Sequence, residues 1–183
     1  DPSVQEQITV PVDAIKSADT RFLQGTVMDV DTDTRTVVLE DDRTVDYDYL
    51  LIGIGSRTAF FGIEGLREHA HTIKSLDDAL AIHDAVTEAG RKATNSDPAE
   101  VVVGGAGLSG IQVAGEGAEY REKERAPIDI TLVEGLDNIL PESDPELQGA
   151  LRSRLEARDV QIETGEFIGE VDAEKIYVGD DAE

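Results

Sequence analysis

A chain of 183 residues can hold one ordinary core, or one domain with part of another attached. Its 40 acidic and 16 basic residues, only five of the latter lysines, give a formal net charge of -24; aromatics are 4% of the chain, which leaves few side chains suited to stacking on bases and disfavours a nucleic-acid partner. There is no cysteine, which excludes disulfides, thiolate metal sites and a Cys-x-x-Cys redox pair within this sequence.

Apolar periodicity persists throughout, so the acidity reads as a solvated surface rather than as disorder. The composition is similar to that of proteins from salt-in halophiles, where molar salt screens like charges over roughly 3 Å.

In chain order, three strands are expected first: Arg21 to Val30, Thr36 to Glu40 and Tyr47 to Ile54. Asp31-Thr32-Asp33-Thr34 and Asp41-Asp42 supply the turns. Ser75-Leu76-Asp77-Asp78 has the form of a capping box opening a helix. That helix should place Ala79, Ile82, Val86 and Ala89 on one face and end near Gly90. Asn95-Ser96-Asp97-Pro98 reads as a linker.

From Glu100 the pattern alternates. Strand Val101 to Val103, helix Leu108 to Glu122, strand Ile128 to Glu134, helix Pro145 to Arg158 and strand Val160 to Glu163 form a βαβαβ series, which implies a parallel sheet. Asp144-Pro145 is a helix start, with Leu147, Leu151 and Leu155 expected on the buried side. His69, His71 and His83 are read as surface histidines and no metal site is expected. No apolar run of about 18 residues and no basic, apolar leader occurs, so neither a membrane span nor a signal peptide is expected.

A repeat links the two ends. Arg21 to Met28 matches Gln161 to Ile168 in pattern, and Thr36 to Asp42 matches Ile176 to Asp181, so the order strand, glycine, meander occurs twice. The sequence therefore reads as an internal fragment, with the tail of one dinucleotide fold over 1–74 and most of a second over 75–183, cut before its last strand. The expected fold class is α/β: a Rossmann-like dinucleotide-binding domain with a parallel sheet and an antiparallel meander, preceded by the C-terminal part of another nucleotide domain.

The chemistry concentrates at Gly105-Ala106-Gly107-Leu108-Ser109-Gly110, directly after a strand and opening a helix. Gly105 permits the tight turn, Gly107 lets the backbone approach a pyrophosphate, and Gly110 lets helix and strand pack closely. Phosphates would sit on the helix N-terminus. Glu134 ends the next strand, placed to accept hydrogen bonds from an adenosine ribose. No arginine lies in the following Gly135-Leu136-Asp137 to neutralise a 2'-phosphate, so NAD(H) is expected over NADP(H).

The stretch from Tyr47 to Leu155 resembles the type II, non-proton-pumping NADH dehydrogenases within the FAD-dependent pyridine nucleotide reductase superfamily. The residues that carry it are Asp46-Tyr47-Asp48-Tyr49-Leu50-Leu51-Ile52-Gly53-Ile54-Gly55-Ser56, Phe60 to Leu66, Ile73 to Ala79, and Ile139-Leu140-Pro141 followed by Asp144 to Leu147. The resemblance implies that the first domain is part of an FAD-binding domain, with Gly55 and Ser56 at the flavin nucleotide. It implies hydride transfer from NADH to FAD, with electrons passing to a quinone or another acceptor. It implies a cytoplasmic protein, peripheral at the membrane face through segments outside this sequence; homo-oligomerisation is compatible with it. Family members commonly carry a glutamate near the nicotinamide where this chain has Gln112, with Glu116 one turn later. No residue of the chain is expected to act as a catalytic acid or base, and the fragment alone is expected to be inactive. Competing readings are the NAD-binding portion of another flavoprotein reductase, of the nitrite, ferredoxin or rubredoxin type, and a nucleotide-binding or redox-sensing module without turnover.

Overall fold

Valine recurs in three short segments in the first quarter of the chain, and in the computed structural model these pair as an antiparallel meander. Residues 8–179 are described, divided into two compact units at Ser56/Arg57. In the first unit a single helical turn, α1 (Val12–Ile15), precedes β1 (Val27–Asp31), β2 (Thr36–Leu39) and β3 (Thr44–Asp46), in sheet order β1-β2-β3. Asp31 closes the first turn, its Oδ1 accepting the backbone N–H of Asp33 and of Thr34, both at 2.9 Å. Hydrogen bonds from Thr34, then from Asp33, hold the Asp31 carboxyl below the usual carboxylate range.

Two expected strands change here. The first begins at Val27 rather than Arg21, and Tyr47 to Ile54 is not a strand. Tyr49, Leu51 and Ile54 are 97%, 93% and 89% exposed. The sheet ends at β3, and a strand needs a neighbour to take its N–H and C=O groups and cover its apolar face; the Tyr47 N–H still donates to Arg35 O at 3.0 Å, but among the described residues no strand pairs with Asp48 to Ile54.

The second unit opens with a short helix, α2 (Leu66–His69), then α3 (Leu76–Lys92). The capping box that starts α3 is complete: Ser75 Oγ accepts the Asp78 N–H at 3.1 Å, and Asp78 Oδ2 accepts the N–H groups of Ser75 and Lys74, both at 2.9 Å. Those bonds, from Lys74 first and then Ser75, hold the Asp78 carboxyl down. This stabilisation is therefore present above the usual carboxylate range and is lost as pH falls through the lowered value. Ser75→Ala should lower stability by about 1 kcal/mol, read as a drop in Tm; an unchanged Tm would show that the cap is dispensable. The helix ends at Lys92, two residues past Gly90, which is the buried residue of the last turn, where an added Cβ would touch Ala126 and Ile128 at 3.5 Å. His83 is half-buried rather than on the surface, edge-on to Tyr120 with ring centroids 5.9 Å apart.

From β4 (Ala99–Gly104) the alternation runs as expected through α4 (Leu108–Glu124), β5 (Ile128–Glu134), α5 (Pro145–Glu156) and β6 (Val160–Thr164). The strands form one parallel sheet, β4-β5-β6, with Val101 opposite Ile130 and Leu132 opposite Ile162. Ile128, Ile130 and Leu132 of β5, Ala114 and Ala118 of α4, Ile139, Leu155 and Val160 make the core. The small residues of α4 let it lie close on the sheet: a Cβ on Gly117 would come within 3.1 Å of Ile130 Cδ1. On α5, Asp144 caps the Leu147 N–H and Pro145 opens the helix. Burial deepens along it, from Leu147 at 43% exposed to Leu155 at 5%, so Leu147 does not join the buried side as expected. Among the described residues no helix is long and apolar enough to cross a membrane.

A second hairpin, β7 (Ile168–Val171) and β8 (Ile176–Val178), follows in the same unit and realises the repeat. Both hairpins carry an irregularity after the first rung, Val27↔Leu39 then Asp29↔Val38, and Ile168↔Val178 then Glu170↔Tyr177. Both close on an aspartate; Asp172 Oδ1 accepts the N–H groups of Glu174 and Lys175 at 2.7 Å. The bulges align Val27 with Ile168, one residue off the pattern match. Past the bulge the second ladder is one rung shorter, Asp31↔Thr36 having no counterpart beyond Val171↔Ile176, so no single offset fits both strands. Asp180 and Asp181, which close the repeat in the sequence, lie outside the described residues.

Candidate functional site

The carboxyl ends of β4, β5 and β6 carry the polar features of the second unit, the edge at which parallel α/β sheets bind ligands. Gly105 leaves β4 with φ +91°, a left-handed conformation open to glycine, and its N–H donates to Val133 O at 2.8 Å. Ala106 is fully buried; its N–H donates to Glu134 Oε2 at 2.7 Å and its carbonyl accepts the Leu140 N–H at 2.8 Å. The turn is thus clamped between the end of β5 and the loop before α5.

Gly107 is the N-cap of α4 and supplies no side-chain cap. The helix's first hydrogen bond runs from the Ile111 N–H to Gly107 O at 3.0 Å, so the N–H groups of the first turn, at Leu108, Ser109 and Gly110, have no intrahelical acceptor. They carry the positive end of the helix dipole. A Cβ on Gly107 would meet no protein atom within 4 Å, whereas one on Gly110 would lie 1.8 Å from Gly105 O. Two glycines of one motif therefore answer different demands, Gly107 leaving the outer surface open and Gly110 letting helix and turn close on each other.

Glu134 differs from the sequence reading in one respect. Its Oε1 accepts the Leu136 N–H at 3.1 Å while Oε2 accepts Ala106, so it is first an internal brace of the glycine turn. Each carboxylate oxygen has a further lone pair, so a second acceptor role is open to it. Gln112 and Glu116 are exposed on α4, four residues apart and on the same face as Leu108, which is 75% exposed. Gly55 and Ser56 belong to the first unit, where Gly55 takes φ +70° with open space about its Cα.

Two further contributors were not read from the sequence. Gln148 donates from Nε2 to Leu140 O and Ser143 O, both at 3.1 Å, holding the loop that bonds Ala106. Phe167 lays its ring against Gly135. A glutamine one turn into a helix carries no motif; an aromatic two residues after a strand-ending glycine, in a chain with four phenylalanines, is a signal that could have been used.

This geometry agrees with comparison against known proteins, in which residues 3–183 match the pyridine nucleotide-disulphide oxidoreductase model. The chain belongs to that family. It is 29% identical, over 89% of its length and 34% of the relative's, to a probable mitochondrial NADH-ubiquinone oxidoreductase of Schizosaccharomyces pombe. It is 28% identical to the type II NADH:quinone oxidoreductase of Staphylococcus aureus, over 93% of this chain and 48% of that one. Among solved structures, NDH2 of Plasmodium falciparum in complex with NADH superposes with a TM-score of 0.68 and 25% identity, covering 85% of this chain and 36% of that one. The chain thus spans between a third and a half of the length of these relatives. The resemblance to type II NADH dehydrogenases holds, and the fold is a Rossmann-like dinucleotide unit preceded by part of an FAD-binding fold.

Proposed function

We propose that this chain is the NAD(H)-binding portion of an FAD-dependent NADH:quinone oxidoreductase, with residues 1–74 from its FAD-binding domain and 75–183 its NAD(H) domain. The observation that carries the reading is the Gly105–Gly110 turn, braced by Glu134 and leaving the first N–H groups of α4 uncapped beside an open Gly107. Uncapped N–H groups and a helix dipole form a ready anion site, and this local field can hold a pyrophosphate despite the net charge of -24.

In this reading Gly105, Ala106, Gly107, Leu108, Ser109 and Gly110 shape the pyrophosphate site, and the free lone pairs of Glu134 accept the adenosine ribose hydroxyls. Gly135 follows, its missing side chain admitting the Phe167 ring beside the ribose site, and Gln112, with Glu116 a turn further on, lies along the helix face toward the nicotinamide carboxamide. A 2'-phosphate would meet the Glu134 carboxylate, which favours NADH. FAD, when bound, would supply hydride acceptance and the passage of electrons to an acceptor of the quinone class; the protein's share is alignment and exclusion of water. Toward FAD the described residues of the first unit offer the Gly55-Ser56 segment and no strand, glycine turn and helix. The proposed oxidoreductase works at the cytoplasmic face of the membrane, in keeping with NADH as a cytoplasmic reductant.

Calorimetric titration at about 1 M salt, which screens the acidic surface, checks the reading. Saturable NADH binding with NADPH at least about tenfold weaker, a difference of about 1.4 kcal/mol, is expected. No binding of either would remove the dinucleotide assignment, and equal affinity would remove the role of Glu134.

A further inference from the structure

We propose that Phe167 is the platform on which the adenine end of the dinucleotide stacks, an inference that rests on the NAD(H) reading above. The loop that carries it is fastened beside Glu134. The Gly165 N–H donates to Glu134 O at 2.9 Å and to Leu136 O at 3.0 Å, the Glu166 N–H donates to Glu134 O at 3.3 Å, and Phe167 O accepts the Gly179 N–H at 2.9 Å. The backbone of Phe167 is therefore pinned on one side to the residue proposed to hold the ribose and on the other to the end of the hairpin.

The ring itself lies over Gly135: a Cβ there would fall 2.4 Å from Cε1 and 2.5 Å from Cδ1. Glycine is thus the residue that lets the ring settle against the backbone next to Glu134. Yet Phe167 remains 67% exposed. A flat apolar ring, resting against the Gly135 backbone and left open to water, is a surface that gains from being covered. Of the four phenylalanines at 22, 60, 61 and 167, this is the one at the carboxyl ends of the parallel strands. Adenine has an uncharged π face, and it is joined directly to the ribose assigned to Glu134, so it must lie within about one ring's breadth of that carboxylate. Stacking of a neutral base tolerates the acidic surroundings of Asp137 and Glu166, where an anionic group would be repelled.

The test uses the full chain at molar salt and compares three ligands by calorimetry: NADH, ADP-ribose and reduced nicotinamide mononucleotide, which lacks the adenosine half. Phe167→Ala should weaken NADH and ADP-ribose by the same factor, about tenfold, as loss of one stacked base implies, and leave the mononucleotide unchanged. Phe167→Trp should keep the affinity of the unaltered chain, and Phe167→Leu, which retains apolar packing on Gly135 but no π face, should fall with alanine. Unchanged ADP-ribose affinity in the alanine or leucine variant overturns the proposal while NADH binding by the unaltered chain keeps the wider reading. If the mononucleotide weakens equally with NADH, the ring acts through the fold and the proposal fails. An unaltered chain that binds none of the three overturns the dinucleotide reading and this inference with it.

Discussion

Gly107→Val is expected to reduce NADH affinity by at least about 100-fold, or about 2.7 kcal/mol, while the chain stays folded. The side chain enters space where no protein atom lies within 4 Å, and Gly107 has φ -73°, which any residue adopts. The stability cost should stay near about 1 kcal/mol, the difference between glycine and valine as an N-cap. What the substitution occupies is the approach to the uncapped N–H groups of α4. Gly110→Ala is the internal contrast. Its Cβ would be placed 1.8 Å from the Gly105 carbonyl, so helix and turn must separate, at a cost of about 3 kcal/mol, and Tm falls before any ligand is added. Melting curves and titrations on the two variants separate the roles. Retained NADH affinity in Gly107→Val would sink the pyrophosphate assignment, and an unaltered Tm in Gly110→Ala would contradict the close approach.

Glu134→Ala should damage both binding and fold. It strips the acceptor from the N–H groups of Ala106 and Leu136, and Ala106 is fully buried, so its N–H is left without a partner at a cost of about 2 kcal/mol. NADH affinity should fall by about tenfold or more, because the ribose loses its acceptor and the turn its brace. NADPH affinity should fall less, since removing the carboxylate also removes the repulsion against a 2'-phosphate, so the preference for NADH narrows. Glu134→Gln keeps one oxygen acceptor and should lie between the two. The check is a pair of titrations per variant beside a denaturant melt; an alanine variant with unaltered stability and an unaltered NADH to NADPH ratio would show that Glu134 neither braces nor selects.

The parallel half of the fold was open to reading because its signals are local. Val101 to Val103, Ile128 to Glu134 and Val160 to Glu163 are apolar runs with clear breaks, and Ser75 and Asp144 are caps whose partners lie three residues on. The glycine turn was open for the same reason, each glycine meeting a demand of its own neighbourhood. Tyr47 to Ile54 misled because an apolar run suits a buried strand but does not supply the neighbour that would pair with it. The repeat misled by one residue because hydrogen-bonded rungs and a bulge, not a constant spacing, set the register of a hairpin.

The sequence by itself determined the βαβαβ order, the glycine turn at Gly105 to Gly110, the acid at Glu134 and the doubled hairpin, since period, caps and turn residues act over a few positions. Tertiary structure alone decided what those residues touch. It turned Glu134 into the brace of Ala106, 28 positions away, brought Gln148 under the Leu140 loop, and set Phe167 on Gly135. These contacts depend on where three strands end relative to one another, a distance that no pattern over a few neighbouring residues displays.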